Sequence, residues 1–102
     1  MISEIEVLKD FEDLTKSGIS LIDFWAEFCS PCRDFEPVFE SLSEKFINMK
    51  FAKANLQDNE ELAGRFGIDA VPCTLIFKNG KMIDKLLGYV SEEELEDKLR
   101  KL

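Results

Sequence analysis

Two cysteines, Cys29 and Cys32, lie between an apolar stretch and an amphipathic one. The preceding residues 21–26 are apolar on both alternating faces except at Asp23, which is typical of a strand covered by helices on both sides. After Cys32, apolar side chains recur at steps of four, three and four residues, as one face of a helix requires. They are Phe35, Phe39, Leu42 and Phe46. The pattern therefore predicts an α/β fold with the cysteine pair at the start of a helix.

The rest of the chain continues the alternation of strands and helices. Strands are predicted at residues 2–7, 49–56, 75–77 and 82–83, and helices at residues 10–14, at 60–66 and after Ser91. Asn79-Gly80 between the last two strands predicts a type I′ hairpin, in which both residues have positive φ, and Ser91 with Glu94 forms a capping-box pattern. We expect a three-layer sandwich, with a central mixed sheet of about five strands flanked by about four helices, in a single domain over residues 1–102.

Charge and composition narrow the possible partners. Thirteen Lys plus Arg against 21 Asp plus Glu give a net charge of −8, which repels phosphate backbones and anionic membrane surfaces. Residues 1–6 lack the features of a signal peptide, and no apolar stretch approaches the ~20 residues that span a bilayer. We therefore expect a cytoplasmic protein with no nucleic-acid or membrane partner. We also expect a monomer. Three cysteines, an odd number, exclude a disulfide framework of the secreted kind.

The position of the cysteine pair indicates redox chemistry. Free N–H groups and the positive dipole end at a helix start stabilise a thiolate, which makes Cys29 the candidate nucleophile. Cys32, within the first turn, is close enough to attack a mixed disulfide on Cys29 and release a reduced product. Pro31 has the fixed φ of a first-turn residue and presets this geometry. A C-x-x-C motif beside a βαβ pattern predicts thiol-disulfide exchange.

Two other interpretations of the cysteine pair stay open at this point. A structural zinc site needs four ligands, but histidine is absent and Cys73 is the only other cysteine. A closed site would then require a carboxylate or a second chain, so we expect no metal. The pair would alternatively be two unreactive buried thiols, because free cysteine is among the most buried residue types.

A longer stretch carries a family resemblance. Residues 23–33 read Asp-Phe-Trp-Ala-Glu-Phe-Cys-Ser-Pro-Cys-Arg, with Pro37 four residues beyond, and the similarity continues through residues 51–55, 66–68, 71–72, 77–80 and 88. The sequence resembles the thioredoxin family over nearly its whole length. The resemblance implies the thioredoxin fold and a protein disulfide reductase that needs no bound cofactor. Its partners would be disulfide-containing target proteins and a thioredoxin reductase-type protein that restores the dithiol.

The resemblance also implies roles for residues around the pair. Asp23 would lie near Cys32 and take its proton, since burial raises the pKa of a carboxyl group toward the working pH. Lys53 matches the family's buried lysine and would moderate that pKa. The other interpretation is an ordinary strand-end Asp23 paired with Lys53, and the two interpretations are compatible. Pro72 would be cis and face the cysteines.

The substrate platform is expected at Val71-Pro72, where an extended target segment would pair with the backbone as an added strand. Trp25 would form one wall of the site, or else would be a core aromatic. The resemblance adds Ser30, Pro31 and Gly88 to the substrate-binding residues.

Three residues depart from the family's usual pattern. Ser30 replaces a glycine, and its hydroxyl would favour the thiolate and raise the redox potential. Phe28 replaces a tryptophan, which puts partner recognition in question. Cys73 stands where threonine is usual, either as a small buried apolar side chain or as a third thiol near the site.

Three functional alternatives remain. One is a thioredoxin-like oxidant or isomerase, although such relatives often carry a histidine between the cysteines. The others are a non-catalytic thioredoxin-like binding module and a metal-bridged dimer through Cys29, Cys32 and Cys73.

Overall fold

Five strands and four helices alternate along the chain, and the computed structural model describes residues 1–102. The strands are β1 (Ile2–Ile5), β2 (Ile19–Trp25), β3 (Lys50–Asn55), β4 (Cys73–Lys78) and β5 (Lys81–Leu87). The helices are α1 (Leu8–Thr15), α2 (Ser30–Lys45), α3 (Glu60–Arg65) and α4 (Glu92–Arg100). The predicted α/β order is confirmed, with one addition: a 3-10 turn at Gln57–Asn59 directly precedes α3.

The sheet has the order β1-β3-β2-β4-β5. Strand β2 is parallel to β3 and antiparallel to β4, so the predicted mixed sheet is confirmed. In this register Asp23 of β2 is the partner of Lys53 in β3 and of Thr74 in β4. The central position of β2 carries the chain from the middle of the sheet directly into the cysteine segment.

Helices cover both faces of the sheet, as the sandwich prediction requires. Ile22 and Phe24 of β2 belong to one apolar cluster, which includes Phe11 of α1 and Leu62 of α3. The second cluster contains Leu21 of β2 together with apolar residues of α2 and α4, namely Phe35, Val38, Phe39, Leu42, Leu95 and Leu99. Because side chains alternate between the faces of a strand, Asp23 shares the face of Leu21 and lies on the α2 side.

Local signals fix the ends of several elements. Asn79 and Gly80 have φ values of 51° and 86°, which confirms positive φ at both turn positions. The N–H of Asn79 donates to the carbonyl of Gly18 at 2.9 Å, and the N–H of Gly18 donates to Oδ1 of Asn79 at 2.7 Å. Ser91 caps α4 by accepting the N–H of Glu94 at 3.2 Å, which confirms the first half of the predicted capping box; the Glu94 side chain does not return a bond to the N–H of Ser91. None of the helices combines the length and apolar character that crossing a bilayer requires.

Candidate active site

The cysteine pair lies where strand β2 passes into helix α2. Cys29 is the N-cap residue of α2, and its sulfur accepts the N–H of Cys32 at 3.3 Å. The two cysteines form a disulfide with their Cα atoms 5.3 Å apart. Pro31 is the second residue of the helix. Both sulfurs therefore lie at the start of α2, where backbone N–H groups without helical partners point outward.

A loop before β4 passes next to this disulfide. The peptide between Val71 and Pro72 is cis, as the resemblance implies. The carbonyl oxygen of Val71 lies 3.9 Å from the sulfur of Cys29. Gly88 closes the loop from the other side, because its N–H donates to the carbonyl of Pro72 at 2.7 Å. Neither the N–H nor the C=O of Val71 bonds to another backbone group, so this edge of the site has free hydrogen-bonding capacity.

A cleft of about 300 Å³ opens on the other side of the cysteine pair. Its lining residues are Asp23, Trp25, Ala26, Glu27, Phe28, Cys32, Arg33, Glu36 and Lys53. The cleft thus brings together Asp23, Trp25, Cys32 and Lys53, four of the predicted site residues. Cys29, Val71 and Pro72 do not line it and form the neighbouring surface.

Asp23 is the buried acid of the cleft. Its side chain lies in the middle of β2 with 1% exposure, and Oδ1 has no hydrogen-bond partner. Burial raises the pKa of Asp23 to about 7; the Lys53 ammonium opposes this rise and the Glu36 carboxylate adds to it. The alternative that Asp23 is a strand-end residue paired with Lys53 is wrong, because the Lys53 ammonium forms its ion pair with Glu36, at 3.4 Å.

The aromatic residues of the site differ in burial. Trp25 is half-buried and belongs to neither core cluster. Its ring centroid lies 5.9 Å from Nζ of Lys53, and its buried Nε1 has no hydrogen-bond partner. Phe28, immediately before Cys29, has a φ of 59° and is 95% exposed. An aromatic residue in the left-handed region is uncommon, and here it presents an apolar ring to solvent.

Ser30 and Cys73 are the other departures from the family pattern. The hydroxyl of Ser30 accepts a hydrogen bond from Nη2 of Arg33 at 3.1 Å. Cys73 is a free thiol with no exposed surface in the cluster beneath α1 and α3, and burial raises its pKa. It therefore packs as a small apolar side chain. No group of three or more His, Cys, Asp or Glu side chains is arranged to hold a metal ion.

The sequence interpretation missed Glu36. This residue lines the cleft and holds the ammonium of Lys53. Its spacing was the available signal, because a residue four positions after Cys32 lies on the same face of a helix.

The family model for thioredoxin matches residues 4–101. The chain belongs to the thioredoxin family. Among curated relatives, the thioredoxin of Listeria monocytogenes is 38% identical over 92 residues and covers 89% of each chain. The thioredoxin of Bacillus subtilis is 32% identical over 94 residues, which is 91% of this chain and 90% of that protein.

Solved thioredoxin structures agree with this assignment. A mutant thioredoxin from Halobacterium salinarum superposes with a TM-score of 0.92 at 29% identity, covering 97% of this chain and 88% of that one. The thioredoxin of Malassezia sympodialis gives 0.90 at 30% identity, covering 99% and 90%. This thioredoxin-family chain therefore has the thioredoxin fold and a disulfide-forming C-x-x-C pair at the active-site position. It is a thiol-disulfide oxidoreductase of the thioredoxin type, a dithiol-disulfide reductase.

Proposed function

We propose that Cys29 is the attacking cysteine and Cys32 the resolving one in the reduction of protein disulfides. The Cys29 thiolate attacks one sulfur of the target disulfide, whose S–S bond breaks as the Cys29–target mixed disulfide forms. The Cys32 thiolate then attacks the sulfur of Cys29 and displaces the second target thiolate, which takes a proton from solvent. The target gains two electrons and the Cys29–Cys32 pair is oxidised to the disulfide.

The N-cap position of Cys29 is the observation that carries this assignment. In the oxidised protein its sulfur already accepts the N–H of Cys32. A thiolate in the same place would accept this N–H with its full negative charge, at the positive end of a helix of 16 residues. Such stabilisation lowers the pKa of a thiol and makes it both a better leaving group and a more abundant nucleophile at neutral pH.

Asp23 is the proposed proton acceptor for Cys32. Both residues line the same cleft, and a carboxyl group with a pKa of about 7 exchanges its proton readily at neutral pH. When Cys32 attacks, its thiol proton passes to Asp23, which afterwards releases it to solvent. Lys53 moderates the charge of this carboxylate from the neighbouring strand.

Target binding is assigned to the surface around the disulfide. An extended target segment would pair with the free N–H and C=O of Val71, beside Pro72 and Gly88, as an added strand pairs with a sheet edge. Ser30 and Pro31, both exposed on the first turn of α2, would contact the target next to the reacting sulfurs.

Trp25 completes the proposed target-binding set from within the cleft, where its ring forms a wall next to Lys53. We further propose that a thioredoxin reductase-type protein returns two electrons to the disulfide after each turnover. The chain would work as a single domain and a monomer in the cytoplasm. The family match over residues 4–101 supports the single domain, and the thioredoxin relatives support the reductase partner.

Reduction of insulin disulfides, driven by dithiothreitol and followed by the turbidity of the released chains, tests the cysteine roles. Cys29→Ser should abolish the acceleration, and Cys32→Ser should stop turnover while accumulating a mixed disulfide on Cys29. Cys73→Ser is the matched control and should retain the wild-type rate, because Cys73 has no exposed surface and packs in the core cluster beneath α1 and α3. Full activity in Cys29→Ser would contradict the proposal.

The midpoint potential of the pair separates a reductase from its alternatives. A value near about −270 mV is expected for a reductant, whereas about −180 to −120 mV is the range of isomerases and oxidants. Equilibration against dithiothreitol, read by the mass added on alkylation, gives this potential.

A further inference from the structure

Glu36 is a charged residue of the cleft that the proposed mechanism does not use. It lies in α2, four residues after Cys32, so both side chains project from the same face of the helix. Its Oε2 lies 3.4 Å from Nζ of Lys53. The Glu36 side chain is 55% exposed and the Lys53 side chain 18%, so the ion pair lies at the mouth of the cleft. Glu36 is therefore more exposed than the lysine that it binds.

Lys53 has a second carboxylate available to it. Asp23 and Lys53 are register partners in the parallel strands β2 and β3, and side chains at such positions project on the same face of the sheet. Yet Asp23 forms no ion pair, and its Oδ1 has no hydrogen-bond partner. The ammonium thus binds the outer carboxylate and leaves the inner one without a partner.

We propose that Glu36 is a positioning residue that holds the Lys53 ammonium at the mouth of the cleft and so keeps Asp23 without an ion-pair partner. Desolvation accounts for this preference, because an ammonium at the mouth keeps part of its hydration, whereas a pair buried beside Asp23 would lose it. The functional meaning of this arrangement rests on the proton-transfer role proposed above for Asp23.

The charged and titratable groups around Asp23 lie on α2, on β3 and on the segment between β2 and α2. Helix α2 contributes Cys32, Arg33 and Glu36, β3 contributes Lys53, and the segment contributes Glu27. The buried thiol of Cys73 lies on the opposite face of the sheet. Glu36 acts on the carboxyl group in two ways that raise its pKa: it keeps the ammonium at a distance and adds a negative charge to the cleft. With a pKa near neutrality, Asp23 is able to accept the Cys32 proton during resolution and to return it when the Cys29–Cys32 disulfide is reduced.

Titration of the Asp23 carboxyl carbon by NMR tests the inference in the oxidised protein, where Cys29 and Cys32 carry no thiol proton. Glu36→Gln removes the charge and keeps the shape of the side chain, and the pKa of Asp23 should fall by about half a unit to one unit. Glu40→Gln is the matched control, because Glu40 lies one turn further along α2 and its carboxylate contacts no lysine. It should leave the pKa of Asp23 within about 0.2 units of the wild-type value, since a distant exposed charge is screened by solvent.

A double-variant cycle shows whether Glu36 acts through Lys53. In a Lys53→Met background no ammonium is present to move, so Glu36→Gln should shift the pKa of Asp23 by less than half of its effect in the wild type. An equal shift in both backgrounds would mean that Glu36 acts by its own charge alone, and would overturn the positioning role. No shift from Glu36→Gln in the wild-type background would overturn it as well.

The titration results can be distinguished from a failure of the proposed disulfide-reductase mechanism. The titration involves no turnover, so it stands whatever the cysteine variants do in insulin reduction. A lower Asp23 pKa in Glu36→Gln, with an unchanged pH profile for resolution of the mixed disulfide, would refute proton transfer by Asp23 and still support positioning by Glu36. A shift of that pH profile to lower pH by the same amount is the result expected if both proposals hold.

Discussion

Strand β2 begins at Ile19 beside the Asn79-Gly80 turn and ends at Trp25 beside the disulfide, and its two ends differ in how their polar groups are satisfied. At the first end, Asn79 and Gly18 exchange two hydrogen bonds, of 2.9 and 2.7 Å. The residues that need positive φ there are Asn and Gly, which adopt it at low cost. One polar group at this end is unsatisfied, because the buried hydroxyl of Ser20 has no hydrogen-bond partner.

The disulfide end combines several unsatisfied or strained groups. Oδ1 of Asp23 and Nε1 of Trp25 are buried without partners, the backbone of Val71 bonds to no other backbone group, and Phe28 has a φ of 59°. A buried carboxyl group costs far more than a hydroxyl such as that of Ser20. Polar groups are thus mostly hydrogen-bonded at the turn, whereas several stay unpaired at the site. There the Asp23 carboxyl group is free to bind a proton, the Val71 backbone to bind a target backbone, and the Phe28 ring to contact an apolar partner.

Asp23 should give the largest effect on stability. The carboxyl group ionises near pH 3.9 in the unfolded chain and near pH 7 in the folded one. Between these values the folded state holds a proton that the unfolded state has lost, so stability falls as the pH rises from about 4 to 7 and stays lower above. Asp23→Asn removes this loss, and should raise the free energy of unfolding by about 1.5 kcal/mol at pH 5 and about 4 kcal/mol at pH 8.

Urea unfolding of the oxidised proteins at both pH values measures this difference. Asp97→Asn is the control, because Asp97 is an exposed carboxylate of α4 with no ion pair or side-chain hydrogen bond. It should change the unfolding free energy by less than about 0.5 kcal/mol at either pH. A pH-independent gain in Asp23→Asn would contradict the ionisation argument.

Substitutions in the Asn79-Gly80 turn should lower stability and leave activity unchanged, whereas Asp23→Asn should raise stability. Asn79→Ala removes the hydrogen bond from Gly18 and places an alanine at positive φ, which should cost about 2 kcal/mol in urea unfolding. Asn79→Gly keeps the backbone conformation accessible and should cost about half as much. Both variants should reduce insulin at the wild-type rate below their unfolding transitions. A loss of activity in either would show that the two ends of β2 are coupled.

Elements that depend on neighbours in sequence were predictable from the sequence. The Asn79-Gly80 turn, the Ser91 cap and the apolar face of α2 follow from short patterns, and all three are confirmed. The pairing of Cys29 with Cys32 likewise needs only a first helical turn. The cis peptide before Pro72 had no local signal and came from the family resemblance alone.

Contacts between distant segments escaped prediction. The 3-10 turn before α3 is fixed by the side chain of Asn59, which donates to the carbonyls of Ile5 and Asn55 at 3.1 and 2.9 Å. The ion pair of Glu36 with Lys53 joins α2 to β3 across the cleft, and it replaces the pairing with Asp23 that strand positions alone indicated. Which of two carboxylates an ammonium binds depends on burial, and burial is a property of the assembled layers.

Substitutions of Phe28 test whether the disulfide end of β2 binds target proteins. Phe28→Gly removes an exposed ring and relieves the left-handed conformation. The added backbone entropy of glycine offsets that relief, so the unfolding free energy should change by less than about 1 kcal/mol. KM for a protein disulfide should rise about tenfold, as expected for the loss of one apolar side chain from an interface. Phe28→Trp should lower KM, and an unchanged KM in both variants would show that the ring contacts no target.

Substitution of Ser30 should have the smallest effect of the changes considered, a small shift in the midpoint potential of the cysteine pair. Its oxygen accepts from Arg33 in the oxidised protein, and its hydroxyl proton is free to donate to a Cys29 thiolate once the disulfide is reduced. That bond exists only in the reduced state, so Ser30→Gly should destabilise this state and lower the midpoint potential by about 10 to 20 mV. Ser30→Thr keeps the hydroxyl and should stay at the wild-type potential in equilibration with dithiothreitol. An equal potential in all three proteins would mean that the Ser30 hydroxyl gives the thiolate no net stabilisation, and that the helix start alone sets the potential at this end of β2.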